Sequence, residues 1–301
     1  MTHEAAEGSA ELGAQASKTV LSVVIPVLNE ETCITATLDR LVVQDAIDEI
    51  VVVDNGSTDA TPQIVKEYAV NQPKVVLVAE PRRGVAQARN TGFDHATGEF
   101  IGRTDADTKV AADWGTVIRR HFTDNPGTAA LTGITTYYDS PVGFLLRAGL
   151  AIQVRRGALG GVVGNMHGPN MAIRRSAYLE VRDDTVTKPD VIDDLDLALC
   201  LTKRGFRIDQ LLHMRAETSA RRRRTDPARW WQFQLSGLRT ITGQGYKVLP
   251  LHRRFIVLAW LGHTVQWPLY RFWDFDRRRF TFMPAEERLF PLSDSTDQHV
   301  A

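Results

Sequence analysis

The chain has 301 residues with 36 Lys+Arg and 36 Asp+Glu, and 43% of it is hydrophobic, enough to fill a core and to exclude a disordered polymer. No uninterrupted apolar run approaches the ~20 residues of a spanning helix. Two cysteines, Cys33 and Cys200, both in helix-like apolar patterns, exclude a disulfide scaffold or a cysteine metal cage and read as buried small side chains.

Residues 1–18 are small, polar and aperiodic, the pattern of a flexible tail without the basic-then-apolar layout of a signal peptide, so the expected location is cytoplasmic. A rhythm then begins. Val20–Leu28 is a β-rich apolar run, and residues 30–44 place Ile34, Leu38, Leu41 and Val42 at helical spacing. Strand patterns follow at 49–53, 74–79 and 99–103, and helix patterns at 61–70, 84–95 and 111–122, with Pro62 in the first turn of its helix. Apolar strands alternating with helices predict an α/β fold: a mostly parallel sheet covered by helices on both faces.

Such sheets bind ligands at the carboxyl ends of their strands, and here each of those ends is polar. Asn29, Glu30 and Glu31 follow the first strand, Asp54–Asp59 the second, Glu80 and Arg82–Gly84 the third, and Asp105 and Asp107 the fourth. Turn and cap chemistry accounts for any one of these sets. It accounts less well for Asp105-Ala106-Asp107, whose two carboxylates at i and i+2 point the same way in extended backbone and repel unless a cation lies between them. Oxygen-only donors fit Mg²⁺ or Mn²⁺; the competing reading is a solvated acidic turn. Asp54 is placed to accept a hydrogen bond from a base or ribose, Arg82 and Arg83 beside Gly84 to approach a diphosphate, and Arg89 either to join them or to lie along its helix. Asp193, Asp194 and Asp196 open a helix that ends in Lys203-Arg204-Gly205, where acids either complement the helix dipole or include a general base.

The segments SVVIPVLNEE, IVVVDNGSTD, RRGVAQARNTG, FIGRTDADT and DDLDLALCLTKRGFRI occur in this order. Together they closely resemble the inverting, nucleotide-sugar-dependent enzymes of glycosyltransferase family 2, which have the GT-A (Rossmann-like) fold, over about residues 20–210. The resemblance implies that Pro26, Asn29, Glu30, Asp54, Arg83, Gly84 and Arg89 border the donor nucleotide. It implies that Asp105 and Asp107 hold the Mg²⁺ or Mn²⁺ and the diphosphate, with Asp194 as general base and Asp193 in reserve. It places an acceptor pocket near Gly164–Arg175, where Asn170 and His167 are the candidate contacts; a Gly/Pro-rich connection into a strand is the alternative. Two departures stand out: Asn55 where the family often has a second Asp, and no His in the usual place for a third metal ligand, with His213 too early and Thr218-Ser219 there instead.

The implied activity is transfer of a sugar from a UDP- or GDP-sugar to a hydroxyl-bearing sugar or lipid-linked acceptor, in cell-envelope glycan or glycolipid synthesis. Nucleotidyl transfer is the enzymatic alternative, and a nucleic-acid or membrane binder ranks last because it leaves the acidic pairs unexplained. Residues 203–279 hold 17 Lys+Arg against 5 Asp+Glu, a net +12 against −12 elsewhere, so the C-terminal third expects an anionic partner. Arg221–Arg224 reads as a solvated run or a phosphate-binding loop. Residues 251–283, with aromatic and arginine residues interleaved, suit peripheral membrane contact, packing on the core or a dimer seam; nucleic acid is not expected. The expected organisation is a tail (1–18), a catalytic domain (19–225), a basic, aromatic helical extension (226–283) and a second tail (284–301).

Overall fold

A computed structural model describes residues 20–283; the expected tails at 1–18 and 284–301 lie outside the described residues. Strand β1 (Leu21–Val27) leads through α1 (Ile34–Val42) to β2 (Glu49–Asp54), then α2 (Thr61–Asn71), β3 (Val75–Ala79), α3 (Val85–His95) and β4 (Phe100–Arg103). There follow β5 (Thr108–Val110), α4 (Trp114–Asp124), β6 (Thr128–Tyr137), α5 (Gly143–Arg155), β7 (Gly161–Val163), β8 (Met171–Arg174) and α6 (Arg175–Val181). The chain continues with α7 (Asp193–Lys203), β9 (Arg207–Thr218), α8 (Pro227–Gly243), α9 (Pro250–Arg271) and a small ribbon of β10 (Trp273–Asp274) and β11 (Arg279–Phe280).

The main sheet has the order β3-β2-β1-β4-β8-β6-β9-β5, with β7 also paired to β9. Strands β1 to β4 are mutually parallel, as their two-sided apolar sequences require. Beyond β4 the sheet turns mixed: β8 runs antiparallel to β4 and β6, β9 parallel to β6, and β5 and β7 antiparallel to β9. Side chains alternate across β1. Leu21, Val23, Ile25 and Val27 face α1, α2 and α4, with Trp114 and Phe122 in that layer. Val24 faces α3, α6 and α7, with Phe93, Tyr178 and Leu201. The helix α3 lies almost on the sheet because residue 92 is glycine: a Cβ there would stand 2.3 Å from Val24 Cγ1 and 2.9 Å from Val53 Cγ2.

Helices α8 and α9 are tied to this body. Thr240 Oγ1 accepts from the Ile192 N–H (3.0 Å), and Gln244 Nε2 donates to the buried Asp196 carboxylate (2.7 Å). Tyr270, fully buried at the end of α9, shares a hydrogen bond with Ser140 (2.7 Å).

Candidate active site

The strand order reverses at β1, with β2 and β3 to one side and β4 to the other, so the crevice beyond the carboxyl ends of β1 and β4 is where an open α/β sheet receives a ligand. The β1–β4 ladder ends at the Val24–Arg103 pair. Pro26 lies beyond that pair, so its missing N–H costs the sheet nothing. The same rim collects more of the chain: β8 starts there, its Met171 opposite Arg103, and β9 ends there, its Thr218 opposite Tyr137 of β6.

On the β1 and β2 side, loops are stitched by side chains. Asn29, held at φ +55°, accepts from the Thr58 N–H (2.7 Å), and its own N–H donates to Ser57 Oγ (2.9 Å). Asp54, partly exposed, accepts from the Ser57 N–H (3.1 Å) through one of its carboxylate oxygens. Asn55 explains one departure from the family pattern. Its amide nitrogen donates to the carbonyls of Glu80 (2.9 Å) and Arg82 (2.8 Å), and its oxygen accepts from the Gly84 N–H (2.8 Å). A carboxylate has no hydrogen to give two carbonyls, so this amide builds the loop that carries Arg83 and Gly84. Arg83 is exposed and donates to the Asn55 carbonyl (3.1 Å), whereas Arg82 is engaged by Glu80 (2.7 Å).

The acidic pair sits at the end of β4. Thr218 Oγ1 donates to one oxygen of Asp107 (3.0 Å) and Arg221 Nη2 to the other (2.8 Å), and the same Arg221 nitrogen reaches Glu30 (3.0 Å). Burial works against the Arg221 charge, but Asp107 and Glu30 outweigh it and raise its pKa. The arginine run therefore does enter the crevice, with its first member on the acidic pair. For Asp105 the balance goes the other way: loss of water, opposed by Arg103 and reinforced by Asp107, pushes its carboxyl above the ordinary range. A desolvated carboxyl beside a second carboxylate is a fitting place for a divalent cation. Among the described residues no group of three His, Cys, Asp or Glu side chains could hold one. The acidic side chains at this end of β4 are the two carboxylates Asp105 and Asp107, and Mg²⁺ and Mn²⁺ bind through one or two carboxylates when water and phosphate oxygens complete the shell. His213 lines a surface depression with Asp113, His121 and Asp124 on the α4 side and joins none of these residues.

Behind the acidic pair is a buried ionic hub. Arg103, 3% exposed, donates to the Asp193 carboxylate and lies 3.4 Å from Asp105. Burial opposes its charge, but Asp193, Asp105 and Asp194 together raise its pKa. Arg89, fully buried, donates to the Asp193 carbonyl and stands 3.6 Å from its carboxylate. Two expectations are corrected here. Arg89 has no surface to offer a nucleotide, because α3 places it beneath α7. Asp193 is not a reserve base: burial favours its neutral form, but Arg103 and Arg89 hold its carboxyl below the ordinary range, as a structural anion. Asp194 is different. It is partly exposed, accepts from the Gly168 N–H (2.7 Å) and the Leu195 N–H (2.8 Å), and retains acceptor capacity on both oxygens. The hub thus fixes the first turn of α7 so that Asp194 meets the Gly168 turn at the same rim as Asp105.

Asn170 is a third correction. It is fully buried; its oxygen accepts from Trp114 Nε1 (2.8 Å), and its amide donates to the carbonyls of Ile134 and Met214 (3.0 Å each). It joins β6, β9 and α4 and has nothing left for an acceptor. His167 is exposed at the rim, with Nδ1 3.1 Å from Thr135 Oγ1. Arg103 is the residue at this rim that motif reading missed; its signal is an arginine ending a buried strand just before two acids.

The model of the family described as Glycosyl transferase family 2 matches residues 22–182, more than half of the chain. The chain belongs to this family. Among its relatives, the uncharacterized glycosyltransferase YibD of Escherichia coli (strain K12) is 37% identical over 91 residues, 30% of this family 2 chain and 26% of YibD. Glycosyltransferase GlyA of Streptococcus pneumoniae serotype 4 is 33% identical over 95 residues, 31% of this chain and 14% of GlyA. The matches thus span 14% and 26% of those relatives' lengths. Two solved structures share the GT-A fold. The mannosyltransferase PcManGT from Pyrobaculum calidifontis, in complex with GDP-Man and Mn²⁺, gives a TM-score of 0.60 at 24% identity, covering 84% of this chain and 74% of that one. TarS 1-349 of S. aureus, in complex with UDP-GlcNAc, gives 0.54 at 18% identity, covering 81% and 72%.

Proposed function

We propose that this family 2 chain transfers a sugar from a UDP- or GDP-sugar to a hydroxyl acceptor by single displacement with inversion, in the synthesis of a cell-envelope glycan or glycolipid. The observation that supports the reading is the Arg103 hub, one buried guanidinium that lies 3.4 Å from Asp105 after β4 and donates to Asp193, the neighbour of Asp194 in the first turn of α7. Structures with this fold hold GDP-Man with Mn²⁺ in one case and UDP-GlcNAc in another, which supports a nucleotide-sugar donor and a divalent cation here.

In this reading the crevice edge at Asn29, Asp54, Arg83 and Gly84 receives the nucleotide. Asp105 and Asp107 would hold Mg²⁺ or Mn²⁺, which would supply positive charge to the departing diphosphate. Arg221, already at Asp107, adds a second positive group beside that diphosphate. Asp194 accepts the proton of the acceptor hydroxyl as its oxygen attacks the anomeric carbon from the face opposite the leaving group. The Gly168 N–H keeps one Asp194 oxygen fixed while the other works.

The test is a panel of nucleotide sugars measured by thermal shift with and without Mn²⁺, followed by product analysis. One nucleotide sugar is expected to raise the melting temperature more with Mn²⁺ than without, and turnover is expected to release nucleoside diphosphate. Combined Asp105→Ala and Asp107→Ala is expected to abolish the Mn²⁺-dependent part of the shift. Pyrophosphate release from a nucleoside triphosphate would assign nucleotidyl transfer instead.

A further inference from the structure

Helix α9 has two apolar faces, and the described residues cover only one. The inner stripe, Ile256, Trp260, His263, Trp267 and Tyr270, packs on the protein and spends its polar tips there. Trp260 Nε1 donates to the Pro227 carbonyl (2.8 Å), Trp267 Nε1 to the Arg224 carbonyl (3.0 Å), and His263 Nε2 lies 2.8 Å from the Thr225 carbonyl. The opposite stripe, at the same helical period, is Leu251, Phe255, Leu258, Leu261, Val265 and Leu269, with Phe255 68% and Val265 79% exposed. At 1.5 Å per residue it runs for about 27 Å. Exposed apolar surface of that length on a fixed helix marks an interaction site.

The charge around the stripe selects its occupant. Residues 227–273 contain six Lys+Arg and not one Asp or Glu. Arg253 and Arg254 stand beside Val257 and Leu258, and Arg271 closes the other end of the helix. A surface that is apolar in depth and anionic at its edge meets both demands along the whole stripe, as a bilayer with acidic headgroups does. No helix among the described residues is long and apolar enough to cross a membrane, and the inner stripe pins α9 to its own domain, so contact is along the surface. We infer that the outer face of α9 docks this chain on an anionic lipid bilayer. The docking does not depend on the glycosyl-transfer reading. It does bear on the crevice, because the carbonyls gripped by the inner stripe belong to Arg224, Thr225 and Pro227, just after the turn that sets Arg221 on Asp107.

The experiment is flotation of the full chain with phosphatidylcholine vesicles and with vesicles containing 30 mol% phosphatidylglycerol, in about 0.1 M salt. The expected result is recovery with the anionic vesicles at least tenfold above that with neutral ones. The triple variant Phe255→Gln, Leu258→Gln, Val265→Gln is expected to lose that binding while its melting temperature stays within a few degrees. The double variant Arg253→Glu, Arg254→Glu is expected to lose the preference for anionic vesicles. Equal recovery of the wild type and the folded triple variant would overturn the inference. So would absence of binding to either vesicle, binding that appears only after deletion of residues 284–301 (the face then being covered by that segment), or a wild-type dimer that ignores vesicles and dissociates in the triple variant.

Discussion

Adjacent aspartates at the start of α7 have opposite surroundings: Asp193 is buried between Arg89 and Arg103, and Asp194 is partly exposed. Asp194→Asn is expected to keep donor affinity and the melting temperature while lowering kcat about a hundredfold or more, read in a turnover assay beside a donor-binding isotherm. Asp193→Asn is expected to fail differently. It leaves Arg89 and Arg103 buried against a neutral amide, at a cost of about 3–5 kcal/mol, so the denaturant midpoint falls before any kinetic effect can be read. Equal melting curves for the two variants would remove the hub from the account. Glu80 gives a pH-dependent case. The Arg82 hydrogen bond, opposed by burial and helped by Thr91, brings its carboxyl down to about 2. A carboxyl lowered in the folded state contributes fully above its unfolded pKa, and the contribution fades as pH falls toward 2. Arg82 is 68% exposed, so solvent screening keeps the pair's contribution small. Urea melts are expected to show wild type more stable than Glu80→Gln at pH 7, with the difference shrinking below the unfolded carboxyl's pKa and closing only as pH reaches about 2.

Among the elements, α3 is the one whose position is least negotiable. Gly92→Ala forces a Cβ into Val24 and Val53, an overpacking cost of about 1–3 kcal/mol. Adding Val24→Ala is expected to restore part of it, so the double variant is more stable than the sum of the singles; plain additivity in urea melts would refute the contact. The three strand–helix units and the fourth strand, up to Arg103, are legible from residue order because each strand is largely apolar and each helix keeps its period. The later strands are not. Strand β7 is three largely exposed residues, β5 is three residues directly after the acidic pair, and β8 hides behind a Gly-Pro-Asn turn. Their pairing is set by the edge of a sheet already formed, which no local pattern encodes. The site divides in the same way. Carboxylates at strand ends announce themselves, whereas Asn170 looks like a ligand until three long-range hydrogen bonds show it to be a joint. Arg103 looks like a strand end until its two acids, one of them 90 residues away, come into view.

Taken whole, the molecule sets the Asp105 and Asp107 carboxylates at one rim of the sheet and follows them with a basic C-terminal third whose Arg221 reaches that rim. The formal charge of zero is the sum of +12 in residues 203–279 and −12 in the rest of the chain. Residue 182, where the family match stops, falls inside this arrangement, before both α7 and β9. A fragment cut there keeps Arg89 and Arg103 but discards the carboxylate that neutralises them, and strips β6 of the strand it pairs with along most of its length. Residues 20–182 expressed alone are therefore expected to show no cooperative thermal transition by circular dichroism, and co-expression of residues 183–283 is expected to restore one. A sharp melt from the isolated fragment would contradict this. The stretch that identifies the lineage is thus not autonomous: what inheritance marks most plainly and what must be synthesised before the protein can stand are different lengths of chain.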